Sequence, residues 1–217
     1  MRVIELLYRG PLGRLISAVA RGVAVLHRPF MVYGCIDPAT REFRKWTRMS
    51  STVAILNGRL LAIGDHVWIW HHSILDATEG IDIGEGCQIG AWVGIFTHGS
   101  EHAIRLLGRR FVHTPNRQRA GYTRGPVKIG AYSFLGAGSI VLPGVTIGKG
   151  CLIAAGTIVG KDVPDFSVVV PSGEIRARTT DLDRRFFRTH DFSETYYDSQ
   201  ALAEVTSKDR PGRPRAE

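Results

Sequence analysis

An aliphatic residue returns every six positions along much of residues 63–164, and this period more than any other feature limits what the chain can fold into. Ile63, Ile69 and Leu75 open the series. After a two-residue slip it resumes at Ile83, Ile89 and Ile95, and after a long interruption it runs unbroken through Ile129, Leu135, Val141, Ile147, Ile153 and Val159. Six residues rotate an α-helix through about 600°, which carries the apolar position off any one face. A period of this kind is the mark of a repeat architecture, in which each unit buries its apolar residue against the units above and below.

Two further columns sharpen the reading. Glycine often follows the aliphatic residue, at Gly64, Gly84, Gly90, Gly130, Gly136, Gly148 and Gly160, where it is expected to permit a tight corner. Four places after the aliphatic residue the side chain is usually small or β-branched: Val67, Ser73, Val93, Ser133, Ser139, Val145, Thr157 and Val163. Glu79, at the slip, is the exception. Short parallel strands joined by tight corners satisfy all of these demands, and the chain is read as a mainly β protein, a parallel β-helix of hexapeptide repeats.

That register also accounts for two of the three cysteines. Cys87 and Cys151 occupy the small-residue column and are expected to pack as small hydrophobes, not to act as nucleophiles or ligands. Together with Cys35 they are too few and too scattered for a disulfide framework or a zinc motif, which points to a reducing compartment. The chain is expected to be cytoplasmic. Arginines interrupt the apolar runs of residues 1–28, and no signal-peptide pattern is present there.

The chemistry is expected in the interruption, FTHGSEHAIRLLGRRFVHTPNRQRAGYTRGPVK, whose central part is a protruding loop over residues 97–126. Excursions of this length are uncommon in compact domains and are often functional. This one carries His98, His102 and His113 with Arg105, Arg109, Arg110, Arg117, Arg119 and Arg124.

The glycine-aliphatic hexads, the histidine-bearing loop and the run IGAYSFLGAGSIVLPGVTIGKGCLIAAGTIVGKDVPDFSVV together resemble the hexapeptide-repeat acyltransferases, and among them the O-acetyltransferases of sugars and polysaccharides. The resemblance covers roughly residues 63–170. It implies a left-handed parallel β-helix, a homotrimer, and acetyl-coenzyme A bound between neighbouring subunits as acyl donor with no metal required. The acceptor it implies is a saccharide hydroxyl, with a loop histidine as general base. Carried over by position, the base is His102 or His98, with the spacing favouring His102. Phe134, Ala137, Ala155, Gly160 and Lys161 fall where relatives meet coenzyme A, although small residues at Ala137 and Ala155 also suit a coil corner. The chain departs from the family at residues 168–178, VVVPSGEIRAR, where relatives close their coils with a glycine-asparagine-proline-alanine stretch.

The chemistry of the side chains fits. A sugar hydroxyl is a poor nucleophile at neutral pH, and a histidine can take its proton as it attacks. Glu101 could orient such a ring, although a loop carboxylate of this kind is expected to be solvated. The net charge of +8 raises nucleic acid as a partner, but no nucleic-acid module accompanies the arginines, and the phosphates of coenzyme A would use them. Sugar-nucleotide N-acyltransferases are the nearest alternative. A γ-class carbonic anhydrase using His98 and His102, or His71 and His72, and a non-catalytic scaffold are more remote. The organisation expected is a basic and apolar extension at residues 1–50, the β-helix at 51–178, and a C-terminal extension at 179–217 whose last dozen residues are expected to be disordered. Residues 1–28 suit either a helix packed on the end of the β-helix or a peripheral contact with anionic lipid.

Overall fold

The computed structural model describes residues 28–178, 181–189 and 191–207, with isolated positions 15, 18, 19 and 22. Apart from those isolated positions, residues 1–27 and the final ten residues, with the expectations that fall on them, lie outside that set. Among the described residues no helix is long and apolar enough to cross a membrane.

The hexads form a parallel β-helix with three faces. The first face contains Phe43–Ser50, Trp68–Ile69, Gln88–Ile89, Phe134–Leu135, Leu152–Ile153 and Ser167–Val169. The second contains Ala54–Leu56, Ile74–Asp76, Gly94–Phe96, Ile140–Val141 and Ile158–Val159, and the third Leu61–Ile63, Ile81–Ile83, Val127–Ile129 and Thr146–Ile147. An antiparallel partner closes the first face at each end, Met31–Ile36 against Phe43–Ser50 and Ile175–Ala177 against Ser167–Val169. Coiling therefore begins with Phe43–Ser50, whose Met49 pairs with Ile69, inside the segment read from sequence as an extension. The departing segment VVVPSGEIRAR supplies the closing hairpin.

Register places like on like. Ile69 pairs with Ile89, Ile89 with Leu135, and Leu135 with Ile153. Leu75, Ile95, Val141 and Val159 form the same kind of column on the second face, and Ile63, Ile83, Ile129 and Ile147 on the third. All are buried in one continuous core. Burying one such side chain contributes roughly 1.5–3 kcal/mol, so the ladder is the main source of cohesion. The small-residue column is buried too, and two of its serines serve the backbone: Ser73 Oγ donates to Gly90 O at 2.9 Å and Ser133 Oγ to Gly148 O at 2.8 Å.

The glycine column has a different cause from the one expected. Gly136 has no left-handed φ, but a Cβ there would lie 2.4 Å from the backbone nitrogen of Ala155 in the next coil. Close approach of successive coils, not corner geometry, excludes a side chain throughout the column except at Gly160, where a Cβ would meet only the end of the Leu142 side chain at 3.3 Å. The left-handed position falls two residues later. Gly86, with φ +70°, sits there under the ring of Tyr132.

The slip is structural as well. Between the second and third faces the first two coils take a longer corner, through Asn57–Leu60 and Ala77–Gly80. The excursion at 97–126 leaves from this same corner one coil later. Far from being a structureless loop, it stands on an antiparallel pair, His98–Gly99 with Thr123–Arg124, and carries the helix Ala103–Leu107 and 3-10 turns at Gly108–His113 and Asn116–Gln118.

Beyond the closing hairpin, helices Asp181–Phe187 and Ser199–Thr206 fold back along the coils. Asp198 caps the second helix by accepting from the N–H groups of Gln200 and Ala201, and it also receives Lys149 Nζ at 2.9 Å.

Candidate active site

The long corner assembles a polar chain across three successive coils. Asn57 Nδ2 donates to Thr78 Oγ1 at 2.6 Å, and Thr78 Oγ1 donates to Asp76 Oδ1, also at 2.6 Å. The other carboxylate oxygen of Asp76, Oδ2, lies 2.8 Å from His98 Nδ1. The approach is close without being an aligned hydrogen bond, since it does not meet the geometry of a ring N–H donor. Asp76 is only 3% exposed, while the side chain of His98 is 28% exposed, so the carboxylate is fixed and the imidazole can be reached.

One face of the ring is also covered. His98 stacks on Tyr122 at 5.5 Å between centroids, and Tyr122 carries the guanidinium groups of Arg124 and Arg119 at 5.0 and 5.7 Å. Arg124 also donates to the carbonyl of Asn116 and lies 3.8 Å from Glu79. Glu79, the one residue that broke the small-residue column, thus faces the excursion.

His102 is placed differently. It is exposed at the start of the helix Ala103–Leu107, and Arg105 Nη2 lies 2.7 Å from its Nδ1. A guanidinium can only donate, so Nδ1 accepts and Nε2 carries the proton. A carboxylate beside Nδ1 of His98 would favour the opposite tautomer, with the proton on Nδ1 and the lone pair on Nε2. Glu101 orients no imidazole: it accepts from Thr123 Oγ1 at 2.6 Å, a bond that holds its carboxyl below the usual range.

The residues expected to meet coenzyme A divide between two edges of the prism. Phe134, 47% exposed, lies on the first face, and exposed Ala137 and Ala155 stack at the corner following it, joined by the bond from Gly156 N to Ala137 O at 2.9 Å. Gly160 and Lys161 lie on the edge that bears the excursion, where they line a cavity of about 220 Å³ with Val169, Gly173 and Ile175. One chain does not collect all five around His98.

His71 and His72 are engaged elsewhere, His71 Nδ1 at 2.6 Å from buried Ser50 Oγ and His72 stacked on Trp92 at 4.5 Å. Burial pushes the Cys87 thiol up to about 11, and burial likewise raises that of Cys151, so both fit the packing role read from the register. Asp76 escaped sequence reasoning. Its signal was a carboxylate immediately after an aliphatic column residue, where glycine often stands, just before the slip.

Residues 126–161 match the bacterial transferase hexapeptide family, a model of six repeats. A probable acetyltransferase of Mycobacterium tuberculosis is 25% identical over 156 residues, covering 70% of this chain and 48% of that protein. Nodulation protein L of Rhizobium leguminosarum bv. viciae is 37% identical over 87 residues, 40% of each chain. The chain thus spans about half the length, or less, of these curated relatives. The crystal structure of a hexapeptide-repeat acetyltransferase from Vibrio cholerae superposes with a TM-score of 0.50 at 23% identity, covering 60% of this chain and 69% of that one, a likeness of fold. The repeat is that of the hexapeptide transferases, and the resemblance to hexapeptide-repeat acetyltransferases holds.

Proposed function

We propose that the chain is an acetyl-coenzyme A-dependent O-acetyltransferase acting on a saccharide hydroxyl, with His98 as general base and Asp76 as the group that orients it. The contact between Asp76 Oδ2 and His98 Nδ1 carries the reading. A base needs a lone pair facing its substrate and a partner that sets tautomer and ring orientation; the accessible ring of His98 and the carboxylate beside its Nδ1 support that role.

In this mechanism Nε2 of His98 takes the acceptor proton as the hydroxyl oxygen attacks the thioester carbonyl. The tetrahedral oxyanion collapses, the carbon–sulfur bond breaks, and coenzyme A leaves as a thiolate that the imidazolium can protonate. No enzyme nucleophile is needed, in keeping with two deeply buried cysteines. His102, with its proton on Nε2, serves better as a hydrogen-bond donor to a reactant than as the base.

Phe134, Ala137, Ala155, Gly160 and Lys161 are the proposed coenzyme A contacts. Their division between two edges supports a groove completed by a neighbouring subunit, hence a homotrimer. Exposed Ile104, Leu106 and Val112 on the excursion favour the same assembly, because apolar side chains so placed gain from being covered.

The test is a screen for transfer from acetyl-coenzyme A to saccharide alcohols and amines, paired with calorimetry of coenzyme A binding. Acetyl transfer to an alcohol is expected. Failure to bind coenzyme A even at low salt would defeat the reading, and transfer to amines alone would replace the O-acetyl assignment with N-acylation.

A further inference from the structure

The excursion holds a concave surface whose lining does not include His98. Arg109, Arg110, His113, Thr114, Pro115 and Gln118 line an open cavity of about 510 Å³. Its wall is braced: Thr114 Oγ1 donates to Arg110 O at 2.8 Å, and Arg119 Nε donates to Thr114 O, also at 2.8 Å. Among the described residues neither Arg109 nor Arg110 has an ion pair. The only carboxylate between residues 97 and 126 is Glu101, which is bonded to Thr123.

Resting on the transferase reading, we infer that this cavity binds a phosphate group of the acceptor, so that the substrate class is a phosphorylated saccharide. Two guanidinium groups that line one cavity without a carboxylate partner offer an anion two forks to share. Their planar forks match phosphate oxygens, and His113 adds a third donor. The cavity has room for a sugar phosphate as well as the bare anion. It is also coupled to the base, because the Arg119 that braces Thr114 lies over Tyr122, and Tyr122 stacks on His98. An acceptor held by its phosphate would therefore present its hydroxyls within the same folded excursion as Nε2 of His98.

Coenzyme A also carries phosphates, so the test must separate the two sources. Calorimetry on the full chain would use inorganic pyrophosphate as one probe and coenzyme A as the other, comparing wild type with the Arg109→Ala/Arg110→Ala double variant. Both side chains are exposed, so folding should survive. Pyrophosphate binding is expected to weaken at least tenfold in the variant and to fall with salt, while coenzyme A affinity stays within about twofold. Equal pyrophosphate binding by both proteins, or none by wild type, would overturn the site. A parallel loss of coenzyme A affinity would assign the cavity to the donor and overturn the acceptor assignment. Intact pyrophosphate binding in a protein that binds no coenzyme A would defeat the transferase reading and the acceptor assignment together, while leaving the anion site in place.

Discussion

Asp76 and His98 meet across a coil boundary. Leu75 pairs with Ile95 and Asp76 with Phe96, so the carboxylate lies beneath the start of the excursion, and Oδ2 reaches His98 Nδ1 at 2.8 Å. The hexad register that builds the core therefore also positions the proposed base. Asp76→Asn should keep the bond to Thr78 but lose the negative charge beside the ring. We expect kcat to fall on the order of 10–10²-fold with KM for acetyl-coenzyme A little changed, as befits a group that orients another. Steady-state kinetics with both substrates varied would check this. A change confined to KM would mean that Asp76 serves binding.

Much of the fold was legible because the aliphatic column is both long and strict: a polar residue at Ile89 or Ile153 would have no escape from the core. The site was less legible. Asp76 and His98 are remote in sequence, and their contact depends on the longer corner at Ala77–Gly80, which appeared only as a break in the pattern. Counting residues beyond Ile95 favoured His102, but the antiparallel pair at His98–Gly99 and Thr123–Arg124 holds His98 at the stem, while His102 begins a helix further out. The purpose of the glycine column was hidden for a similar reason, since sequence does not reveal how closely coils approach.

Glycine substitutions separate the two roles of that residue here. Gly136→Ala would push a Cβ to 2.4 Å from Ala155 N, a backbone atom that cannot swing aside. Gly156, with φ +71°, has open space around it. Thermal or denaturant unfolding should show a loss of about 3 kcal/mol for Gly136→Ala and about 1 kcal/mol for Gly156→Ala. The reverse order would contradict the close-approach explanation.

The buried thiols should be inert. At pH 8, Cys87 with its pKa pushed up to about 11, and Cys151, raised in the same direction, should resist a thiol reagent in the folded protein, and all three cysteines should react once it is unfolded. Cys87→Ala should lower stability by roughly 1–2 kcal/mol while leaving turnover within about twofold. Rapid labelling of Cys87 in the native protein would show that the core opens.

Asp37 should make stability depend on acid pH. Burial alone would raise its pKa, but the backbone N–H groups of Thr40, Ile63 and Ala39, with the Arg44 guanidinium, outweigh it and hold the carboxyl low. A folded-state pKa below the unfolded value of about 3.9 gives a contribution that is complete above that pH. It is lost as pH falls through the folded value. Asp37→Asn should therefore cost roughly 1–3 kcal/mol at pH 7, and the gap from wild type should narrow below about pH 4. Denaturant melts across that range are the check, and a gap that widens with acid would refute it.

The proposed base faces its most direct test in the turnover of His98→Ala and His102→Ala with acetyl-coenzyme A and a competent acceptor. His98→Ala should reduce kcat by roughly 10²–10⁴-fold, the usual effect of removing a positioned general base, with coenzyme A affinity nearly unchanged. His102→Ala should cost much less. Full activity in His98→Ala together with loss of turnover in His102→Ala would contradict the assignment of His98 as the base.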